Sequence, residues 1–169
     1  MAISYTSDSN RSVQVYEGQG RQVCRQSVVF NVASNPAAND QFRVMRLPKC
    51  RVVGGMISGR KLDTNASETL KLDVGTISDF VYDANGNPAG GTLNQTTLHK
   101  SGVITGAGVT DHVESDGASL FVRHFNKVID GDLVLTGDDN LVVVTAAATA
   151  ATFAAGNIRV DVDYVCDDQ

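Results

Sequence analysis

Apolar and polar residues alternate one by one in segment after segment of this chain, the pattern of strands that bury one face and wet the other. In residues 68 to 75, ETLKLDVG, Leu70, Leu72 and Val74 share one face and Lys71 and Asp73 the other. Residues 21 to 32 repeat the pattern with Val28, Phe30 and Val32. Residues 155 to 165, AGNIRVDVDYV, repeat it with Ile158, Val160, Val162 and Tyr164. Shorter runs at 42 to 47 (FRVMRL), 49 to 59, 119 to 125 (SLFVRHF), 132 to 136 (DLVLT) and 140 to 145 (NLVVVT) read the same way. Pro48 is expected to stop the first of these, because it has no N–H to give to a ladder. Gly137-Asp138-Asp139 is expected to connect the last two tightly. Gly54-Gly55 predicts a bulge or sharp bend where a strand crosses a sandwich corner. Asn85-Gly86, within SDFVYDANGNPAGGTL, predicts a hairpin through a type I′ turn.

The single candidate for a helix is AAATAATFAAG, near 146–155, since alanine has the highest helix propensity and Gly156 is placed to end a short helix. Many short strands, hardly any helix and no linker composition predict an all-β chain: a single antiparallel β-sandwich, jelly-roll-like, over residues 21–169. The polar N-terminal arm, residues 1–20, lacks the apolar content to pack alone and is expected to order on a partner. A length of 169 residues with 42% hydrophobic side chains supports one core, and 16 Gly against no Trp fits a turn-rich β-protein.

Charge is unevenly spread. Residues 11 to 61 hold nine basic side chains against Glu17 and Asp40, whereas residues 130 to 169 hold eight Asp against Arg159. The halves, +7 and −7, are expected mainly to neutralise each other within one fold, since opposite charges on paired strands attract. Otherwise they serve subunit contacts, and Arg43→Glu with Arg46→Glu would then weaken assembly. Cys24, Cys50 and Cys166 are odd in number and far apart, so they read as scattered buried thiols of a protein folded in a reducing cytoplasm, although one pair can still meet in space. The N-terminus shows no signal-peptide pattern, and the weakly polar run 141 to 155 is too short to span a bilayer.

Candidate chemistry is sparse. Arg159, Asp161, Asp163 and Asp167 share one strand face, but a Ca²⁺ site needs six to eight oxygens, so the expected role is a solvated face or an interface. Asp83, Asn85 and Asn87 begin like a calcium loop, but Pro88 stands at the turning-glycine position and Asn94 at the bidentate-glutamate position. That stretch reads as a hairpin turn. The Gly-rich run 101 to 112 lacks the ending of a phosphate loop, and Ser58 in GGMISG is not in a nucleophile elbow. His99, His112 and His124 lack metal-site spacing and read as surface or loop histidines. With Tyr16, Phe30 and Phe42 as its aromatics, the basic segment is poorly equipped to stack bases. The sequons at Asn10, Asn65 and Asn94 carry meaning only in a secreted chain. No catalytic residue, cofactor or metal is expected, nor a nucleic-acid or membrane partner.

Residues 42 to 75, with an RLP strand and an LKLDVG strand, and 132 to 165, with an Ala/Thr-rich stretch leading into GNIRVDVDY, resemble small β-rich virion proteins of tailed bacteriophages. The resemblance implies a capsid decoration or cement protein. Such a protein is a compact sandwich, made in the host bacterial cytoplasm, that binds the major capsid protein on the capsid exterior as a small oligomer, with a trimer favoured. It extends to no catalytic residue, and residues 76 to 131 lie outside it. Two other classes compete. A glycan-binding or adhesive module of a phage tail or host surface would want aromatic platforms, which this chain has few of; a hydrolase would need a nucleophile and base meeting from distant strands.

Overall fold

The computed structural model describes residues 2–4, 13–14, 23–65, 69–101, 114–115, 118–128 and 133–166. These form strands β1 (Ala2–Ser4), β2 (Val13–Gln14), β3 (Val23–Val32), β4 (Gln41–Arg60), β5 (Lys71–Ser78) and β6 (Val81–Tyr82). They continue as β7 (Pro88–Ala89), β8 (Thr92–His99), β9 (Glu114–Ser115), β10 (Ala118–His124), β11 (Leu133–Ala148) and β12 (Gly156–Val165).

β4 organises the molecule because it is long enough to serve two sheets. Its residues 41–52 pair with β11, its residues 51–59 pair on the opposite edge with β12, and β10 pairs with 56–60. The register therefore defines one layer ordered β3-β12-β4-β10 and another ordered β4-β11-β5-β8, the two-sheet arrangement of a jelly roll in which one strand turns the corner. β1 adds to β4 in parallel at Gln41–Arg43, and β2 pairs with β3 at Cys24 and Arg25.

The corner is made by backbone irregularities. Asp163 pairs with Gly54 and Tyr164 with Val52, so Val53 is the extra residue of a bulge. Gly55 follows with φ 153°, and a Cβ there would lie 2.5 Å from the Asp161 carbonyl oxygen and 2.6 Å from Phe125 Cδ2. The Gly-Gly bend expected from the sequence is thus present, with the bulged residue one position earlier.

Pro48 does not end its strand. β11 carries Thr136, Gly137 and Asp138 as a bulge between Leu135, opposite Cys50, and Asp139, opposite Pro48. The missing proline N–H is tolerated at the margin of that bulge, where the ladder is interrupted. Gly137-Asp138-Asp139 is accordingly a bulge inside one sixteen-residue strand rather than a link between two. The buried Asn140 amide donates to the Gly137 carbonyl at 2.6 Å and holds that bulge in shape.

The helix expected near 146–155 is absent. Ala146 to Ala148 extend β11, and 149–155 form an irregular return to β12. β-Sheet pairing with Leu72 and Lys71 outweighs the modest helical preference of a short alanine run.

Between the layers, Val28, Phe30 and Val32 of β3 meet Phe42, Val44 and Leu47 of β4, Val142 and Val144 of β11, and Ile158, Val160 and Val162 of β12. The rings of Phe30 and Phe42 stand 5.3 Å apart. Burying each such side chain contributes about 1.5–3 kcal/mol, so this alternation is the main source of stability. The other face of β11 is covered as well: Leu141 and Val143 pack with Ile77, Phe80 and Leu93 in a second small core.

Candidate functional site

The acidic strand face is the first candidate, and the register of β12 explains its chemistry. Asp163 lies opposite Arg25 and Asp161 opposite Ser27. Arg25 donates to both Asp163 oxygens, at 2.6 and 2.8 Å, and that pairing raises the guanidinium above its ordinary pKa. Asp161 accepts from the Ser27 hydroxyl and from Arg159 Nε at 2.9 Å. Asp161 is only 1% exposed, so the solvated or partner-covering role expected of it is corrected: the neighbours on β3 and β12 cover it. Each carboxylate has an arginine partner, Arg25 for Asp163 and Arg159 for one oxygen of Asp161, while the other Asp161 oxygen is buried without a hydrogen-bond donor. Asp167 lies outside the described residues. This ladder also joins the basic and acidic halves of the sequence within one fold. Because Arg25 is 43% exposed, its pair contributes at most about 1 kcal/mol.

The second candidate is the β6–β7 hairpin, which folds over the outer face of the β4-β11-β5-β8 layer. Phe80 enters the second core and meets Tyr82 edge to face at 5.6 Å. The Arg46 guanidinium stands over the Tyr82 ring at 5.5 Å, donates to the Tyr82 hydroxyl and reaches Asp139 at 3.2 Å. The Tyr82 hydroxyl itself donates to Asp139 at 2.8 Å; burial and then this carboxylate raise its pKa. Arg43 donates to the Pro88 carbonyl. Val81, Val29 and Tyr82, at 66%, 52% and 49% exposed, are the most open large apolar side chains among the described residues.

At the hairpin tip Asp83 accepts from the backbone N–H groups of Asn87 and Asn85, at 2.9 and 2.8 Å, and these bonds lower its pKa. Gly86 takes positive φ while Asn85 does not, so the turn is an Asx-capped one rather than type I′. Asn94 belongs to β8, opposite Thr76, and is not part of this tip. The hairpin reading holds.

Arg43 and Arg46 thus clamp this hairpin, which changes what their substitution tests. Arg43→Glu with Arg46→Glu is expected to release the segment from Asp79 to Gly91 while the main core persists. Limited proteolysis should cut there at least about tenfold faster than in the parent, a loss of roughly 1.4 kcal/mol of local stability. Unchanged cleavage would show that the second core alone seats the hairpin.

Two further carboxylates, Asp63 and Asp73, are buried. Asp63, 3% exposed, accepts from the backbone of Thr69, Leu70 and Ala151 at one oxygen and of Asn65 and Thr152 at the other, all within 2.8–3.2 Å. Burial alone would raise its pKa, but the N–H groups outweigh that and hold it well below the usual carboxylate range. Asp73, facing away from the main core, accepts from Gln95 Nε2 at 2.7 Å and from Ser101 N and Oγ at 2.7 and 2.6 Å. Alternation locates such residues on the polar face; it cannot say that loops will close over them.

His99 is also corrected, being 2% exposed beside Leu98. Burial lowers its pKa, against smaller upward pulls from the His124 backbone and the Asp73 carboxylate. His124 is exposed, and His112 lies outside the described residues, as does the Gly-rich run beyond Ser101. Ser58 lies within β4 opposite Arg159 and Val122 and has no elbow geometry. Among the described residues no cluster of three or more His, Cys, Asp or Glu side chains is arranged to hold a metal ion. No helix among them is long and apolar enough to cross a membrane.

What this geometry defines is an all-β jelly roll whose polar side chains are mostly spent on holding its own loops and strands. No protein-family model matches the chain, and no curated protein sequence matches it. Solved structures do. The chain is similar to one in the capsid asymmetric unit of Cyanophage Pam1, with 24% identity and a TM-score of 0.57 over 95% of this chain and 96% of the other. It is also similar to one in the capsid of Ralstonia phage GP4, with 21% identity and a TM-score of 0.59 over 99% of this chain and 92% of the other. At these identities the likeness establishes a shared fold, extending over nearly the whole of each chain.

Proposed function

We propose that the chain is a virion structural protein that decorates and stabilises the outer surface of an icosahedral phage capsid, binding the major capsid protein as an oligomer, with a trimer favoured. The observation that carries this reading is the full-length fold match to chains from two phage capsids. The strand motifs at 42 to 75 and 132 to 165 agree with it. The chemistry fits too: Asp161, Asp163, Asp139 and Asp63 are engaged by the chain's own donors, as expected of a rigid scaffold rather than an enzyme. In this reading residues 1–20 form an arm that pairs with its own chain at β1 and β2 and otherwise orders on a neighbouring subunit, and the protein acts without cofactor or catalytic residue.

The adhesive alternative has its best platform at Tyr82, but Arg46 already covers a face of that ring. The test is to prepare phage heads lacking this protein, add the purified chain and sediment the shells. Saturable binding at fixed stoichiometry, with shells that withstand higher temperature before releasing DNA, is expected. No cosedimentation at micromolar protein would overturn the reading. Interfaces of standard size, about 1,200–2,000 Å², ordinarily hold at that concentration.

A further inference from the structure

The three cysteines, distant in sequence, converge at one end of the sandwich. β12 pairs Tyr164 with Cys24 of β3 on one side and with Val52 of β4 on the other, and its final pair on that side is Val165 with Arg51. The next position along the antiparallel ladder sets Cys166 opposite Cys50. Both lie two residues beyond the buried pair Tyr164 and Val52, so the two-residue period of a strand puts their side chains on the same, core-facing side. All three are present as thiols, with Cys50 buried, Cys24 half-buried and Cys166 exposed. Tyr164 lies among all three: burial, and then the negative charge that Cys24, Cys166 and Cys50 carry as thiolates, push its hydroxyl up.

We propose that Cys50 and Cys166 form an oxidisable pair whose disulfide ties the end of β12 to the middle of β4. Directly opposed residues of an antiparallel pair have Cα atoms about 4.5 or 5.5 Å apart, within the roughly 4.4–6.8 Å span of disulfides. The other pairings are disfavoured. Cys24 is diagonal to Cys166, an offset of about 7–8 Å between paired strands, and is separated from Cys50 by the whole width of β12. Cys166, being exposed, is the thiol an oxidant meets first.

The reaction is thiol–disulfide exchange with a small-molecule disulfide such as oxidised glutathione. The Cys166 thiolate attacks the reagent's S–S bond and releases one reduced glutathione. The Cys50 thiolate then displaces the second from the mixed disulfide. Two electrons pass to the reagent, two protons end on the released thiols, and one S–S bond replaces another. In a reducing cytoplasm the pair stays open, and outside it the pair closes.

The test uses the full chain, folded, incubated with oxidised glutathione and then alkylated. A chain lighter by two hydrogens, a linked peptide joining Cys50 to Cys166 and an alkylated Cys24 are expected. The melting temperature should rise by about 5–15 °C over the reduced protein. Cys24→Ser is expected to keep the cross-link and Cys166→Ser to abolish it, and neither removes a fully buried group. A stable glutathione adduct on Cys166 without closure, or a linked peptide containing Cys24, would overturn the assignment.

Discussion

Replacing Asp63 with alanine is expected to lower the melting temperature of the protein by about 10 °C, corresponding to roughly 3–5 kcal/mol for a chain of this size. The effect is large because one carboxylate serves two loops. Its oxygens accept from the backbone of Asn65, Thr69 and Leu70 after β4 and from Ala151 and Thr152 before β12. An alanine would leave these N–H groups facing each other across a vacant site with no acceptor.

Asp63→Asn is expected to recover only part of the loss, since the amide exchanges an acceptor oxygen for a donor. The contribution also depends on pH. The Asp63 carboxyl is held below its ordinary value of 3.8, so the unfolded chain binds its proton first as pH falls. The difference in urea stability between parent and Asp63→Ala should therefore be complete above about pH 5 and shrink progressively below about pH 4. A difference that stays constant down to pH 3 would mean that the carboxylate's charge is not what holds the loops.

The second large effect is expected at the corner. Gly55→Ala puts a methyl group against the Asp161 carbonyl oxygen and the Phe125 ring, at a φ of 153° that other residues rarely adopt. Strain of about 1–3 kcal/mol from the backbone and a similar amount from overpacking give a loss near 4 kcal/mol. Denaturant unfolding would measure it. The double variant Gly55→Ala with Phe125→Leu should regain part of the loss if the ring clash contributes, and Gly54→Ala is the control. The Cβ of that control meets Asp163 at an ordinary 3.6 Å, so a loss as large as that of Gly55→Ala would contradict the account.

Much of this architecture could be read from the residues. The strands at 23–32 and 156–165 largely follow the period of two, and the same alternation identifies Val28, Phe30, Ile158, Val160 and Val162 as core. The misreadings share a cause: local sequence does not say what the partner strand is doing. Pro48 looks like a stop until β11 bulges opposite it, and Gly137 to Asp139 look like a turn until β4 is seen to continue past them.

The alanine run looks helical in isolation because its pairing partners in β5 lie some seventy residues away. Asp161 looks solvated, and Asp63 attracts no notice, for a similar reason. Covering the first takes Ser27 and Arg159, and engaging the second takes backbone from two loops that are close only in the folded chain. The functional reading is less legible still, since a surface that binds another protein needs no motif of its own.

β12 has a consequence for how the protein is made. It is an inner strand of its layer, flanked by β3 on one side and β4 on the other, yet it follows the other described strands in chain order. Until it emerges, the facing edges of β3 and the second half of β4 have no strand between them, and the layer cannot close. The nascent chain must therefore keep its earlier strands from pairing with those of its neighbours on the same message, a hazard for strands left waiting with open edges. Any product interrupted before residue 156 would lack the piece around which the first layer is completed. Production thus passes a built-in check: a chain that has acquired its sandwich has also been read at least through β12.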